Sequence, residues 1–308
     1  MVVAPEHPSL HAAVVQAASE QAQWDEQLLL LRISQERAGL WVQGLGRWGS
    51  ADATAGAPGF HTSANGVMAG ADKDVAPGAL AGVSVAYVDD QVWQGGAGMG
   101  SVQTGRLQLY GVRELGLATL SASFGGAYDQ IDVERSAAPG VVGRSMHHGY
   151  EIGGAAQLRW RVDLGGLRLD PRLGVSYQRL WQNAYSEEGA SGFGVAVQPA
   201  DMQTLRPFVG AAAGQSFDLG GGKTLRASAD VTWWYELLDR SAHGQVFAPD
   251  GTAFGFQGPA LGRGGLLAGG SLEAWLSSRA ELFADYRIQP KVSNNTVQTA
   301  TVGFRLVF

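Results

Sequence analysis

The feature that most constrains this chain is a two-residue alternation sustained over segments too long for an ordinary strand. From Tyr150 to Leu164 the even positions are Tyr150, Ile152, Gly154, Ala156, Leu158, Trp160, Val162 and Leu164. The odd positions are Glu151, Gly153, Ala155, Gln157, Arg159, Arg161 and Asp163. Successive side chains of a strand point to opposite sides, so one face is apolar and the other charged. The next segment repeats this in the opposite parity. Leu167, Leu169, Leu173, Val175 and Tyr177 oppose Arg168, Asp170, Arg172, Ser176 and Gln178, across the tight turn Asp163-Leu164-Gly165-Gly166. Segments of this kind read as about twelve strands, near 40–52, 60–74, 79–94, 100–113, 117–135, 148–164, 167–185, 192–217, 223–239, 263–277, 279–289 and 296–308.

Composition removes the competing classes. The chain has 308 residues, 45 of them Gly, and Gly follows no three-residue period, which excludes collagen. It has no Cys, so neither a disulfide framework nor a Cys-based metal site is open to it. Its net charge of −6 argues against nucleic acid as a partner, because phosphate binding needs a basic face. The longest compact apolar cluster is Leu28-Leu29-Leu30-Leu31, far short of the roughly 20 residues of a membrane-spanning helix. No cofactor and no metal are expected.

A soluble sandwich also alternates, but three features point to a barrel in lipid. The polar face carries charges where a spanning strand would lie in the membrane: Arg106, Glu151, Arg159, Arg161, Arg168, Arg172, Arg226, Asp230, Glu273, Asp285, Arg287 and Arg305, with Asp170 and Glu281 beside them. A lipid-embedded barrel is apolar outside and polar within, so these are expected to line its lumen. Many segments exceed the 9–11 or so residues that a tilted spanning strand needs. Aromatics such as Tyr150, Tyr177, Trp233, Tyr235, Tyr286 and Phe308 fall near the ends of the apolar faces, as in an interfacial girdle. Short turns are expected at one rim, and longer loops near 53–59, 136–147, 186–191 and 240–262 at the other. Before the first strand, residues 9–38 read as a helix: Ser9 can cap it, and no Gly or Pro interrupts it until Gly39. Its acids Glu20, Asp25, Glu26 and Glu36 have the sign to pair with lumen arginines, and a twelve-strand bore has room for one helix about 10–12 Å across. The organisation is therefore a helix over 1–38, held in the lumen, and an all-β, twelve-stranded antiparallel transmembrane barrel over 39–308.

At this point the chain resembles the β-domain of autotransporters, the type V secretion proteins of Gram-negative bacteria. The resemblance rests on a polar helix running into Trp41-Val42-Gln43-Gly44-Leu45-Gly46 and on the Gly-rich run Gly66-Val67-Met68-Ala69-Gly70-Ala71-Asp72. Leu107-Gln108-Leu109-Tyr110-Gly111 and the C-terminal Val302-Gly303-Phe304-Arg305-Leu306-Val307-Phe308 complete it. It implies an outer-membrane translocator and anchor that exports an N-terminal passenger, after which the helix plugs the pore. It also implies a β-signal at Val302, Phe304, Leu306 and Phe308, read by the barrel-assembly machinery. The expected partners are the chain's own passenger, that machinery and outer-membrane lipid; the barrel is expected to be monomeric. Met1-Val2-Val3-Ala4-Pro5-Glu6 lacks a basic start and an apolar core, so a signal peptide is expected upstream. Members that cut themselves do so at an Asn-Asn pair in the helix. Residues 1–64 hold no Asn, and Asn294-Asn295 is far from the helix, so such cleavage is not expected.

Two motifs could suggest chemistry. Gly44-Leu45-Gly46-Arg47-Trp48-Gly49 fits a dinucleotide fingerprint literally, but no helix follows it, and glycines of a barrel wall explain it better. His147-His148 lacks Cys or nearby carboxylates to complete a metal set, and no G-x-S-x-G accompanies the histidines. They read as loop residues beside a strand. An enzyme is not expected. The alternatives are a free-standing channel or adhesin barrel and, less favoured, an outer-membrane hydrolase.

Overall fold

The computed structural model describes residues 7–33, 38–291 and 294–308. Helix α1 runs Ser9–Ile33, an Ala-, Gln- and Leu-rich stretch of good helix formers. The expected continuation to residue 38, with Glu36, lies outside the described residues. Twelve long strands follow: β1 Gly39–Ala51, β2 Phe60–Ala76, β3 Ala79–Gln94, β4 Gly98–Leu115, β5 Ala118–Ala138 and β6 Val141–Trp160. The second half comprises β7 Leu167–Gln182, β8 Ala200–Gly220, β9 Lys223–Tyr235, β10 Gly264–Trp275, β11 Ala280–Gln289 and β12 Asn295–Val307. Each pairs antiparallel with its chain neighbour. β1 also pairs with β12, Gly39 opposite Val307, which closes the sheet. A closed sheet leaves no edge, so every wall amide has a partner without water, as hydrocarbon demands.

The two faces are inverted relative to a water-soluble protein. Leu109 is 63% exposed and Phe124 65%, whereas Arg305 is 0% exposed and Arg47 2%. Tyr128, Tyr150 and Trp181 are neighbours across β5, β6 and β7 on the outer face. Trp233 and Tyr286 lie exposed at the same end, giving a belt of amphipathic rings at one interface. Inside, five large rings each lie across a strand boundary from a glycine: Trp41 on Gly70, Tyr110 on Gly82, Phe208 on Gly174, Trp234 on Gly265 and Phe283 on Gly303. A Cβ at Gly70 would overlap the Trp41 ring. These pairings account for part of the glycine excess: the notch lets a ring lie flat on the wall, the packing called aromatic rescue.

The structure corrects several expectations. No loop spans 136–147; β5 and β6 run on to a turn at Pro139-Gly140, with Gly140 at φ +77°. Beyond the membrane the two strands can go on pairing in water, and Glu134 on one receives Arg144 from the other at 2.8 Å. His147 and His148 are therefore strand residues. The expected strand at 192–217 begins only at Ala200. The expected loops near 186–191 and 240–262 contribute instead to a small sheet made of Tyr185–Ser186, Ala196–Val197, His243–Phe247 and Ala253–Gln257. This sheet caps the rim opposite the short turns.

The helix lies inside the barrel. All but two of its 25 residues are buried, polar ones included. Its surroundings change along its length. Leu10 to Ala18 sit in an apolar cluster with inward-facing Phe60, Val92, Ile131 and Met202 and with Val246 and Phe256 of the cap. The lumen is thus not the uniformly polar, watery bore that the charges alone suggest; near the cap it is largely an apolar collar.

Candidate functional site in the lumen

The middle of the helix meets a polar wall. Glu20 pairs with Arg206, which also donates from Nε to Glu236 at 2.8 Å and lies 4.4 Å above the Trp234 ring. Asp25 pairs with Arg106 at 3.4 Å, and Arg106 binds Glu151 as well. Glu26 finds neutral donors instead: Gln108 Nε2 and Ser123 Oγ, each at 2.6 Å. Wall amides also reach the helix backbone, Gln178 donating to Ala22 O and Gln157 to Leu30 O, both at 3.3 Å. Strand periodicity aims these side chains inward, since alternate residues of every wall strand face the helix.

Of the expected acids, then, Glu20 and Asp25 meet arginines, Glu26 meets an amide and a hydroxyl, and Glu36 lies outside the described residues. Arg206, Arg47 and Asp90 were not among the expected lumen charges. Arg47 holds Asp90 at 2.6 Å and donates to Ala17 O at 3.4 Å. The alternation of Arg47 with Trp48 in β1 and of Arg206 with Leu205 in β8 carried that signal.

Beyond the C-terminal end of the helix the lumen opens into a vestibule at the short-turn rim. Its volume is about 270 Å³, and Arg159, Arg161, Arg168, Arg172, Arg226, Asp230, Glu273, Asp285, Arg287 and Arg305 all line it. Asp170 is shared by Arg168 at 2.9 Å and Arg226 at 3.2 Å, and Asp230 by Arg172 at 2.7 Å and Arg287 at 3.2 Å. Glu273 lies 3.8 Å from Arg226 and Asp285 3.4 Å from Arg287. Arg305 reaches Asp72 at 2.8 Å, and Arg32 on the helix approaches Glu281 at 3.9 Å. The ten vestibule charges, together with Arg106 and Glu151 higher up, all belong to the lumen system.

At the capped end, Glu187 fastens three elements. It takes a bidentate pair from Arg135 at 2.7 and 2.6 Å and lies 3.4 Å from His11 Nε2 on the helix. His11 Nδ1 meets Tyr185 Oη at 2.7 Å, and Tyr185 stacks on His147 with ring centroids 3.6 Å apart. Burial would raise the Glu187 carboxyl, but the hydrogen bonds from Arg135 and His11 outweigh it and hold it at about 2. Burial, with Glu187 nearby, pushes the Tyr185 phenol well above its ordinary range.

The C-terminal strand presents Val302, Leu306 and Phe308 outward, with Phe304 half-buried on the same face and Arg305 inward. Gly44, Gly46 and Gly49 lie within β1. Among the described residues, no cluster of His, Asp and Glu is arranged to hold a metal.

Residues 40–287 match a family model described as the autotransporter beta-domain. The translocator domain of the autotransporter NalP from Neisseria meningitidis superposes with a TM-score of 0.76 at 18% identity, covering 96% of this chain and 100% of that one. The beta domain of the Bordetella autotransporter BrkA gives 0.68 at 16% identity over 88% and 100%. The transport unit of AIDA-I from Escherichia coli gives 0.65 at 13% identity over 96% and 99%. In sequence, 98 residues are 32% identical to a protein described as an extracellular serine protease from Serratia marcescens, a stretch covering 32% of this chain and 9% of that protein.

Proposed function

The chain belongs to the autotransporter β-domain family, and from that premise we propose that it exports and then anchors a passenger lying N-terminal to α1. In this reading residues 1–38 link and plug, and residues 39–308 form the translocator in the outer membrane. A signal peptide upstream delivers the whole to the periplasm. The observation that supports it is a single crossing of the lumen. Ser9 lies beside Phe256 and Gln257 of the cap, and the chain enters β1 at the opposite rim, beside the end of β12. Any segment upstream of Ser9 therefore leaves on the capped side, the side of the longer connections, which in outer-membrane barrels faces the medium. The ion pairs of Glu20 and Asp25 then retain the helix as a plug. The outward apolar row Val302, Leu306 and Phe308 serves as the β-signal for the assembly machinery, and the apolar wall faces lipid.

The test places an epitope between a signal peptide and residue 1 and expresses the fusion in a Gram-negative host. The epitope should be digested by protease added to intact cells while the barrel is spared. An assembled barrel whose epitope stays in the periplasm would overturn the export reading. Removing residues 1–38 should raise single-channel conductance in planar bilayers and lower resistance to denaturant; no change in either would end the plug reading.

A further inference from the structure

Outside the lumen, the short-turn rim carries side chains that water would not select. Turns favour Gly, Pro, Asn, Asp and Ser, yet each of the five short turns also bears a large apolar residue. These are Val75 before β3, Leu117 before β5, Leu164 before β7, Leu219 before β9 and Leu276 before β11. With Phe308 they form a ring, each member between 45% and 83% exposed. Exposed apolar side chains gathered in one place mark contact with a membrane or another protein. Lys73, Arg113, Lys223 and Arg279 stand exposed beside the same turns. Such cations lay their stems along lipid and keep the charge among headgroups.

The capped rim is built the other way. Tyr87, Tyr128, Tyr150 and Trp181 follow one another in register on the outer face, with Gly105 between the first two. One step nearer the cap the outward residues turn polar: Asn65, Asp89, Gln103, Gln130 and His148 lie side by side on β2 to β6. The hydrocarbon boundary on that side therefore falls at the aromatic row. From this row towards the short turns the outward face of β5 reads Gly126, Phe124, Ala122, Leu120 and Ala118, with no charge. Residues 118–128, 150–160 and 223–233 are eleven residues each, and all three run from a belt aromatic to a short turn. A tilted strand needs about 9–11 residues to cross the hydrocarbon, so the crossing ends where the turns begin.

We propose that the short-turn rim is a lipid-contacting ring, seated in the headgroup layer with its apolar members dipped into the edge of the hydrocarbon. The partner is the bilayer surface, because the ring continues the apolar wall and encircles the barrel instead of gathering on one side as a protein contact would. The lumen then opens at headgroup level and not on a stalk in water. The ring rests on the barrel spanning a membrane; it does not depend on the export of a passenger.

The chain has no Cys, so one introduced Cys gives one label. L117C, L219C, F124C and D250C carry a nitroxide and are refolded as full chains into phosphatidylcholine–phosphatidylethanolamine vesicles. F124C marks the middle of the wall, and D250C the tip of a cap hairpin. Relaxation by oxygen, which concentrates in hydrocarbon, is compared with relaxation by a water-soluble nickel chelate. Nickel relaxation at L117C and L219C should be at least threefold below that at D250C, with oxygen-to-nickel ratios between those of D250C and F124C. Nickel relaxation equal to that of D250C puts the rim in water and overturns the proposal. A ring built to dock a protein would give that same result, since the vesicles hold no partner. F124C relaxing like D250C would overturn the spanning premise itself, and the ring with it. The folded gel band is checked for every variant, and L164C or L276C takes the place of one that does not fold.

Discussion

Replacing Arg206 with methionine should be among the most damaging single changes in the lumen. Arg206 serves two carboxylates at once, Glu20 from the helix and Glu236 from the wall, and all three side chains are at least 94% buried. Glu236 also accepts the backbone N–H of Leu205 at 2.9 Å and of Leu238 at 3.0 Å, so it keeps two donors without Arg206. Glu20 loses the partner that balances its charge. Removing one partner of a buried pair costs about 3–5 kcal/mol, because the other charge stays out of water uncompensated. The E20Q change alone leaves Arg206 neutralised by Glu236 and removes one charge-assisted bond, worth about 1.5–3 kcal/mol. In R206M the E20Q change removes the stranded charge. The double variant should therefore be less destabilised than the sum of the singles by about 1–3 kcal/mol. Equilibrium urea unfolding of the refolded barrel, followed by tryptophan fluorescence and by survival of the folded gel band, measures all three. If R206M falls within about 1 kcal/mol of wild type, or the two changes simply add, the pairing does not hold the helix as argued.

Three further outcomes follow from other parts of the molecule. G70A forces a methyl against the Trp41 ring and should cost about 1–3 kcal/mol in the same urea assay; an unshifted midpoint would show that the notch is dispensable. Because Glu187 sits at about 2 in the fold and near 4.3 in an unfolded chain, its contribution is complete above that higher value. It fades as pH falls towards 2. The cap should thus become protease-sensitive between about pH 4 and 2, and E187Q should flatten that dependence; matching wild-type and E187Q profiles would contradict it. Deleting Phe308 should lower the amount of assembled barrel in outer-membrane fractions, and normal levels would argue against a β-signal role.

The barrel was legible because membrane strands are long and two-faced: ten or more alternating residues leave little room for another period. The same rule hid the cap, whose strands run two to five residues and carry too few alternations to register. It also misjudged where β5 and β6 end, since the pairing energy of a ribbon does not stop at the lipid boundary. The luminal position of the charges could be read from parity, but their partners could not. Which arginine meets Glu20 depends on the rotation of the helix about its own axis, and nothing local in the sequence sets that angle. The apolar collar was missed for a related reason. Phe60, Val92 and Ile131 are apolar residues on inward parity, and they only make sense once a helix is there to cover them.

The collar and the ionic belt occupy different levels of one helix, and that arrangement gives its displacement a direction. Sliding the helix two turns towards the cap, about 11 Å, would part Glu20 from Arg206 and Asp25 from Arg106 and carry Glu20 to the level now held by Ala12 and Ala13 of the apolar cluster. Breaking two buried ion pairs leaves uncompensated charge out of water, so displacement of the helix in that direction meets rising resistance.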